Sequence, residues 1–311
     1  FGHPFWGYGE HYVPVVGAWI HMLMPSVSSS YKISTPLNVM GTLEQDRRPC
    51  IVATTKGRAP MIPLTLNIKA KSGVSKKFGV EVFSNRITTP RYLYLLIRML
   101  MKNAVSDVAD VAIKAKVNMK FEGISDVTFT DYFTSETGAA YGFSPMMTRG
   151  FRVLNFLLRN AFKRVSLKKM EVDVDLRYVL QKALIYSVKV PRAEVEPGAT
   201  VKLTVRLKRW LGGFYEKTIP VKIPDLPDNS LVRIRVQAGD DVTPDHAPPE
   251  SLRDVLRYVK ETMSARQLVV SVRTASEGSS AGGRLLQDLR GSVVETPRTA
   301  THTGTGKRFT R

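Results

Sequence analysis

The sequence predicts a mainly β protein with a few packing helices, an α+β chain of several β-rich units, and three observations predict it. Long stretches alternate apolar and polar residues with the two-residue period of strands half buried on one face. Clusters of Gly, Pro, Asp and Ser punctuate those stretches at turn spacing. Three segments with helical periodicity each follow a start signal of clear chemistry.

The chain reads in order as follows. A strand over 12–23 is followed by shorter strands around 62–68 and 77–83, and between these two the Lys71 to Lys77 stretch, with Ser72, Gly73 and Ser75, reads as a short linker. Thr89 then places a hydroxyl acceptor at a helix cap and Pro90 a ring without an amide hydrogen at the first helical position, ahead of a helix through Lys102. Val111, Ile113, Ala115, Val117, Met119 and Phe121 alternate with Lys114, Lys116, Asn118 and Lys120, which is the pattern of an antiparallel-type strand, and a further strand is expected over 126–133. Ser144 and Pro145 repeat the helix-start device before Phe151, Leu154, Leu157 and Leu158. The next alternation sets Met170, Val172, Val174, Leu176 and Tyr178 against Glu171, Asp173, Asp175 and Arg177.

A break at 191–198, where Glu196, Pro197 and Gly198 form a turn, interrupts strands expected over 184–190, 201–207, 215–223 and 231–236. Four short strands with Pro and Gly turns, including Gly212 and Gly213, are the pattern of a small β-sandwich. After an ordered Asp- and Pro-rich loop over 240–249, Ser251 and Asp254 have capping-box spacing ahead of Leu252, Val255, Leu256 and Val259, and a strand is expected over 268–272. The 276–283 stretch is rich in Gly and Ser, and residues after Thr296 are polar and poor in aliphatics, so the tail is expected to be disordered. The expected units are 1–70, 76–182 (β-rich with two packing helices), 183–240 (the small sandwich), 241–295 (helix and strand) and the 296–311 tail.

Composition bounds the function. In 311 residues, 43% hydrophobic and 23% charged, there is ample material for a core, which excludes a disordered or fibrous chain. The formal net charge of +19 is spread along the chain, with excesses of +3, +10 and +6 over residues 1–70, 71–190 and 191–311, as a solvated basic surface requires. Cys50 is the one cysteine, so no internal disulfide and no thiolate pair for structural zinc can form. The longest uncharged stretch, His11 to Tyr31, contains Pro14, His21, Pro25 and Ser28 to Ser30, and no transmembrane segment is read there. The chain begins at Phe1 without a signal peptide, so the true N-terminus is expected upstream. The Gly7–Gly9 and Gly282–Gly283 pairs lack the setting of phosphate loops, and no cofactor is expected. Lys163, Arg164, Lys168 and Lys169 form the strongest basic run, read as a solvated helix end; no exposed aromatic series accompanies it, so no nucleic acid partner is expected.

The densest group of unusual residues is Phe1-Gly2-His3-Pro4-Phe5. Gly2 permits a turn or a close approach, Pro4 fixes the dihedral after the imidazole, and the flanking aromatics shield it. Two readings of His3 are open: a hydrogen-bonded structural residue, or a rigidly held general base. For Asp46, in Gln45-Asp46-Arg47-Arg48, they are a local ion pair with Arg47 or Arg48 and an acid that orients an imidazole. Ser28, Ser29 and Ser30 read as turn residues rather than nucleophiles, and His11 and His21 as strand histidines rather than metal ligands, so no metal is expected.

That N-terminal run, together with Pro25-Ser26, Ser29-Ser30-Tyr31-Lys32-Ile33, Gly41-Thr42-Leu43-Glu44-Gln45-Asp46-Arg47 and Met61-Ile62-Pro63-Leu64, resembles the SpoIVB-type serine peptidase family in its large envelope-associated bacterial members. The likeness is specific over residues 1–70, looser to Ile223, and returns at Pro249-Glu250-Ser251-Leu252 and Arg266-Gln267-Leu268-Val269-Val270. The resemblance implies that residues 1–70 finish a peptidase-like β domain, that His3 is the general base, with Asp46 a possible orienting acid, that the substrate is a protein or peptide, and that the protein works in the cell envelope, the periplasm or outside the cell. The family's nucleophile lies in a Gly-Met-Ser-Gly-Ser-Pro type motif that does not occur in these residues, so the serine is expected upstream of Phe1 and this chain alone is expected to be inactive. The rival expectation is a non-catalytic β-rich envelope module; a third, a polyanion binder, rests on the +19 alone and predicts steep salt dependence.

Overall fold

The computed structural model describes residues 13–28, 30–46, 50–105, 108–139, 149–227, 229–242, 249–274, 277–281, 284–287 and 308–310. The protein is mainly β, with five sheets and three α-helices among the described residues.

The N-terminal sheet has the order β1 (Val13–Met24), β2 (Tyr31–Asp46), β3 (Ile51–Thr54), all antiparallel. The largest sheet has five strands in the order β5 (Ser75–Phe83), β4 (Met61–Ala70), β8 (Ser166–Arg177), β6 (Val111–Glu122), β7 (Val127–Ser135). One face of this sheet is apolar because β4, β6 and β8 alternate along most of their length, and α1 (Thr89–Ala104) and α2 (Arg149–Leu158) lie on that face. Leu93, Ile97 and Met101 recur at helical spacing along α1 and are buried against Leu64, Leu66 and Ile113. The opposite face is wet, and the register there sets Lys114 opposite Asp175 and Lys116 opposite Asp173.

Four details depart from the sequence reading. The Lys71 to Lys77 stretch is no linker but a turn closed by Ala70 N–H to the Val74 carbonyl, and it joins β4 to β5 within one sheet, so residues 61–70 pair with strands of the following unit. β8 pairs antiparallel with β6 but parallel with β4, and it keeps its alternation because helices cover one face only. Thr89 is not the cap of α1: it lies inside the first turn, its hydroxyl donating to the Phe83 carbonyl at 3.0 Å, while the Asn85 side chain accepts from the amides of Ile87 and Thr88 at 2.9 Å. Lys168 and Lys169 sit on β8 rather than at a helix end, 2.6 Å from Glu122 and Glu171 respectively. The hydrogen bond from each lysine holds its glutamate below the ordinary carboxylate pKa.

The second core lies between two small sheets. One has the order β11 (Phe214–Lys222), β10 (Thr200–Arg209), β9 (Ala183–Lys189), and the other pairs β12 (Val232–Ala238) with β13 (Leu268–Thr274). Val201, Leu203, Val221 and Ile223 face Ile234, Val236, Val270 and Val272. Between β12 and β13 the chain leaves this core to form α3 (Leu252–Glu261), whose Val255 is buried in the core of the large sheet and whose Tyr258 stacks on Phe156 of α2 at 6.1 Å. The Ser251 side chain caps α3 by accepting from the Asp254 amide at 3.3 Å, as the capping-box spacing predicts.

The chain ends in a third small sheet, β15 (Arg284–Gln287), β14 (Glu277–Ala281), β16 (Arg308–Thr310). Residues 308–310 of the tail pair antiparallel with β14. Residues 296–307 and 311 lie outside the described residues.

Candidate functional site

The turn between β1 and β2 is built from serines. The Ser26 amide donates to the Ser30 hydroxyl and the Ser28 amide to the Ser26 hydroxyl, both at 3.3 Å, so these side chains close a turn, as expected; Ser29 lies outside the described residues. Further along β1, His21 Nε2 is 2.7 Å from Thr35 Oγ1 on β2, a cross-strand contact on an exposed face. Among the described residues no group of His, Cys, Asp and Glu has the geometry of a metal site. His11 lies outside them.

β2 outruns β1, and its last residues pair with β3 on the other side. The two backbones approach so closely at Gly41 that an added Cβ would stand 2.1 Å from the Thr54 carbonyl oxygen. This is a position that only glycine fits. Thr42 beside it is buried, and so is Asp46, 6% exposed at the strand end opposite Ile51. A carboxylate held so at a strand terminus can accept a ring N–H and fix an imidazole in one tautomer. His3, Arg47 and Arg48, which the sequence reading set beside it, lie outside the described residues.

The rest of the N-terminal sheet is apolar and open. β1 carries no Lys, Arg, Asp or Glu, and Trp19, Ile20, Met22 and Leu23 on it, with Leu37, Val39 and Met40 on β2, are all exposed, Trp19 at 63%.

One buried acid escaped the sequence reading. Asp131 of β7 stands in the apolar phase of its strand, after Val127 and Phe129 and before Phe133. That break in alternation was the available signal. Its Oδ1 lies 3.1 Å from Arg149 Nε and its Oδ2 accepts the Gly150 amide at 3.2 Å. Burial raises its pKa above the ordinary aspartate value, outweighing the pull of Arg149. Arg149 also donates to the Thr130 carbonyl at 3.0 Å and the Thr262 carbonyl at 3.1 Å, tying together β7, α2 and the end of α3. The adjoining cavity between sheet and helices, lined by Leu93, Phe133, Phe151 and Met170 among others, measures about 40 Å³. It is far too small for a substrate, so the pair is structural.

Comparison of the chain with family models, with curated proteins and with solved structures returns no match.

Proposed function

We propose that this chain is the part of a SpoIVB-type serine endopeptidase that carries the general base, with the nucleophilic serine supplied by sequence upstream of Phe1. His3 takes the proton of the serine hydroxyl as its oxygen attacks a peptide carbonyl, then returns the proton to the leaving amine; water attacks the resulting acyl-enzyme by the same route. Asp46 holds the imidazole in the accepting tautomer. The observation that carries this reading is the Gly2-His3-Pro4 start followed, within one N-terminal block, by a buried aspartate in Gly41 to Arg47. The resemblance also supports work on proteins in the cell envelope.

The test is labelling of the gene product extended upstream by a fluorophosphonate directed at active serines. Labelling abolished by His3→Ala and reduced by Asp46→Asn is the expected result, with no peptide hydrolysis by the 311-residue chain alone. Peptidase activity of that chain, lost on His3→Ala, refutes the division of the site between the two parts; an extended product that does not label refutes the enzyme.

A second reading is favoured by the exposed apolar residues of β1 and β2: a non-catalytic envelope scaffold whose N-terminal sheet docks another protein surface. An extended product that folds and fails to label supports it.

A further inference from the structure

The strands β9, β10 and β11 with the β10–β11 turn contain seven Lys and Arg and a single carboxylate, Glu216. The pairing register brings five of them, Lys189, Lys202, Arg206, Lys208 and Lys222, to one face, which was not visible in sums over the sequence because the residues come from separate strands. In the five-stranded sheet the register sets carboxylates opposite Lys114 and Lys116; here Glu216, opposite Arg206, is the one carboxylate on the three strands. Arg206, Lys208 and Arg209 have no ion-pair partner among the described residues and lie instead over aromatic rings, with Arg206 4.3 Å and Lys208 5.7 Å from the Phe214 centroid and Arg209 4.7 Å from that of Tyr215.

At the tip of the hairpin stands Leu211, 92% exposed and in the left-handed region with φ of +51°. That conformation costs a leucine roughly 1–2 kcal/mol, and Gly212 and Gly213 beside it would adopt it freely. Folding therefore gains nothing from leucine here, on either backbone or burial grounds. The turn is nonetheless held, by Gly212 N–H to the Arg209 carbonyl at 3.1 Å and Trp210 N–H to the Lys182 carbonyl at 2.9 Å. A fixed turn that presents an aliphatic side chain beyond a collar of aromatics and excess cations matches one kind of surface, an apolar layer beneath anionic headgroups.

We propose that the β10–β11 hairpin is a peripheral docking site for an anionic lipid bilayer, Leu211 entering the headgroup boundary while Arg206, Lys208 and Arg209 meet phosphates and carboxylates. The inference is independent of the peptidase reading. The test is co-sedimentation of the full chain with vesicles of phosphatidylcholine alone or with about one third phosphatidylserine. Binding to the anionic vesicles alone is expected. Each cation near such a surface is worth about 1 kcal/mol, roughly fivefold in affinity, so R206Q/K208Q/R209Q should weaken binding about a hundredfold. Leu211→Gly should weaken it about tenfold or more while raising the melting temperature, because it relieves the turn. Failure to bind anionic vesicles overturns the proposal. So does binding that Leu211→Gly leaves unchanged and that heparin or a single-stranded oligonucleotide competes away, which would mark a polyanion site without membrane entry.

Discussion

Replacing Arg149 with Met tests the account of the large core. Methionine keeps much of the apolar stem but removes the donors to the Thr130 and Thr262 carbonyls and the cation 3.1 Å from Asp131, leaving a buried carboxylate with the backbone amides of residues 149 and 150 and the weaker pull of Arg152. Breaking a buried ion pair from one side costs about 3–5 kcal/mol, most of it the penalty of stranding the other charge. The Nε hydrogen does not point at the carboxylate, since that nitrogen makes no hydrogen bond, which sets the expectation at the lower end, about 3 kcal/mol. The double variant R149M/D131L, with both charges gone, should recover more than half of that loss.

The pH dependence has a definite sign. Burial already raises the pKa of Asp131, with Arg149 as the strongest opposing influence, so removing Arg149 raises it further. A carboxyl whose folded pKa exceeds its unfolded value contributes stability that is present below the unfolded pKa and lost as pH rises through the folded one. The cost of R149M should therefore be smaller at about pH 4 than at about pH 8. Urea unfolding followed by far-UV circular dichroism at both pH values measures it. A cost below about 1 kcal/mol, or one equal at the two pH values, refutes this account of the pair.

Two further expectations concern local structure. Ser251→Ala removes the cap of α3 and should cost about 1 kcal/mol at neutral pH by urea unfolding. The Ser251 hydroxyl is also the main cause holding Asp254 below its ordinary pKa, so this contribution exists above the unfolded aspartate value and fades as pH falls through the folded one; a cap cost that grows on acidification would contradict it. Gly41→Ala should force β3 off β2, at a cost of about 1–3 kcal/mol, and speed hydrogen exchange in the β2–β3 ladder while leaving β4 and β5 protected; an undisturbed ladder would refute the requirement for glycine beside Thr54.

Where a segment obeys its own period it was legible: the alternation of 111–121 and 170–178 and the Ser251–Asp254 spacing reappear almost residue for residue in β6, β8 and α3, whereas β2 and β3, which lack a clean alternation, were not read as strands. Pairing was less legible. Nothing local distinguishes the Ser72-Gly73 turn of a hairpin from a linker, and nothing in 170–176 states that β4 will lie parallel beside it, since that choice is made by packing between residues about a hundred positions apart. At the candidate site, Asp46 sits among charged neighbours and so reads as surface, yet it is buried in the fold. Asp131 was written in the sequence as a polar residue in an apolar phase. The Leu211 hairpin was not, because exposure and a left-handed φ belong to the folded backbone.

The route of the chain through α3 has a mechanical consequence. β12 and β13 are neighbours in space, yet the thread between them runs out to the other core and is fastened there by Val255, Tyr258 and the Arg149 bond to Thr262. The smaller body thus borrows its closing strand from beyond an anchor in the larger one. Ending the gene after β12 would leave that strand widowed and strip a helix from its neighbour at one stroke, so neither body is a part that can be excised and kept whole.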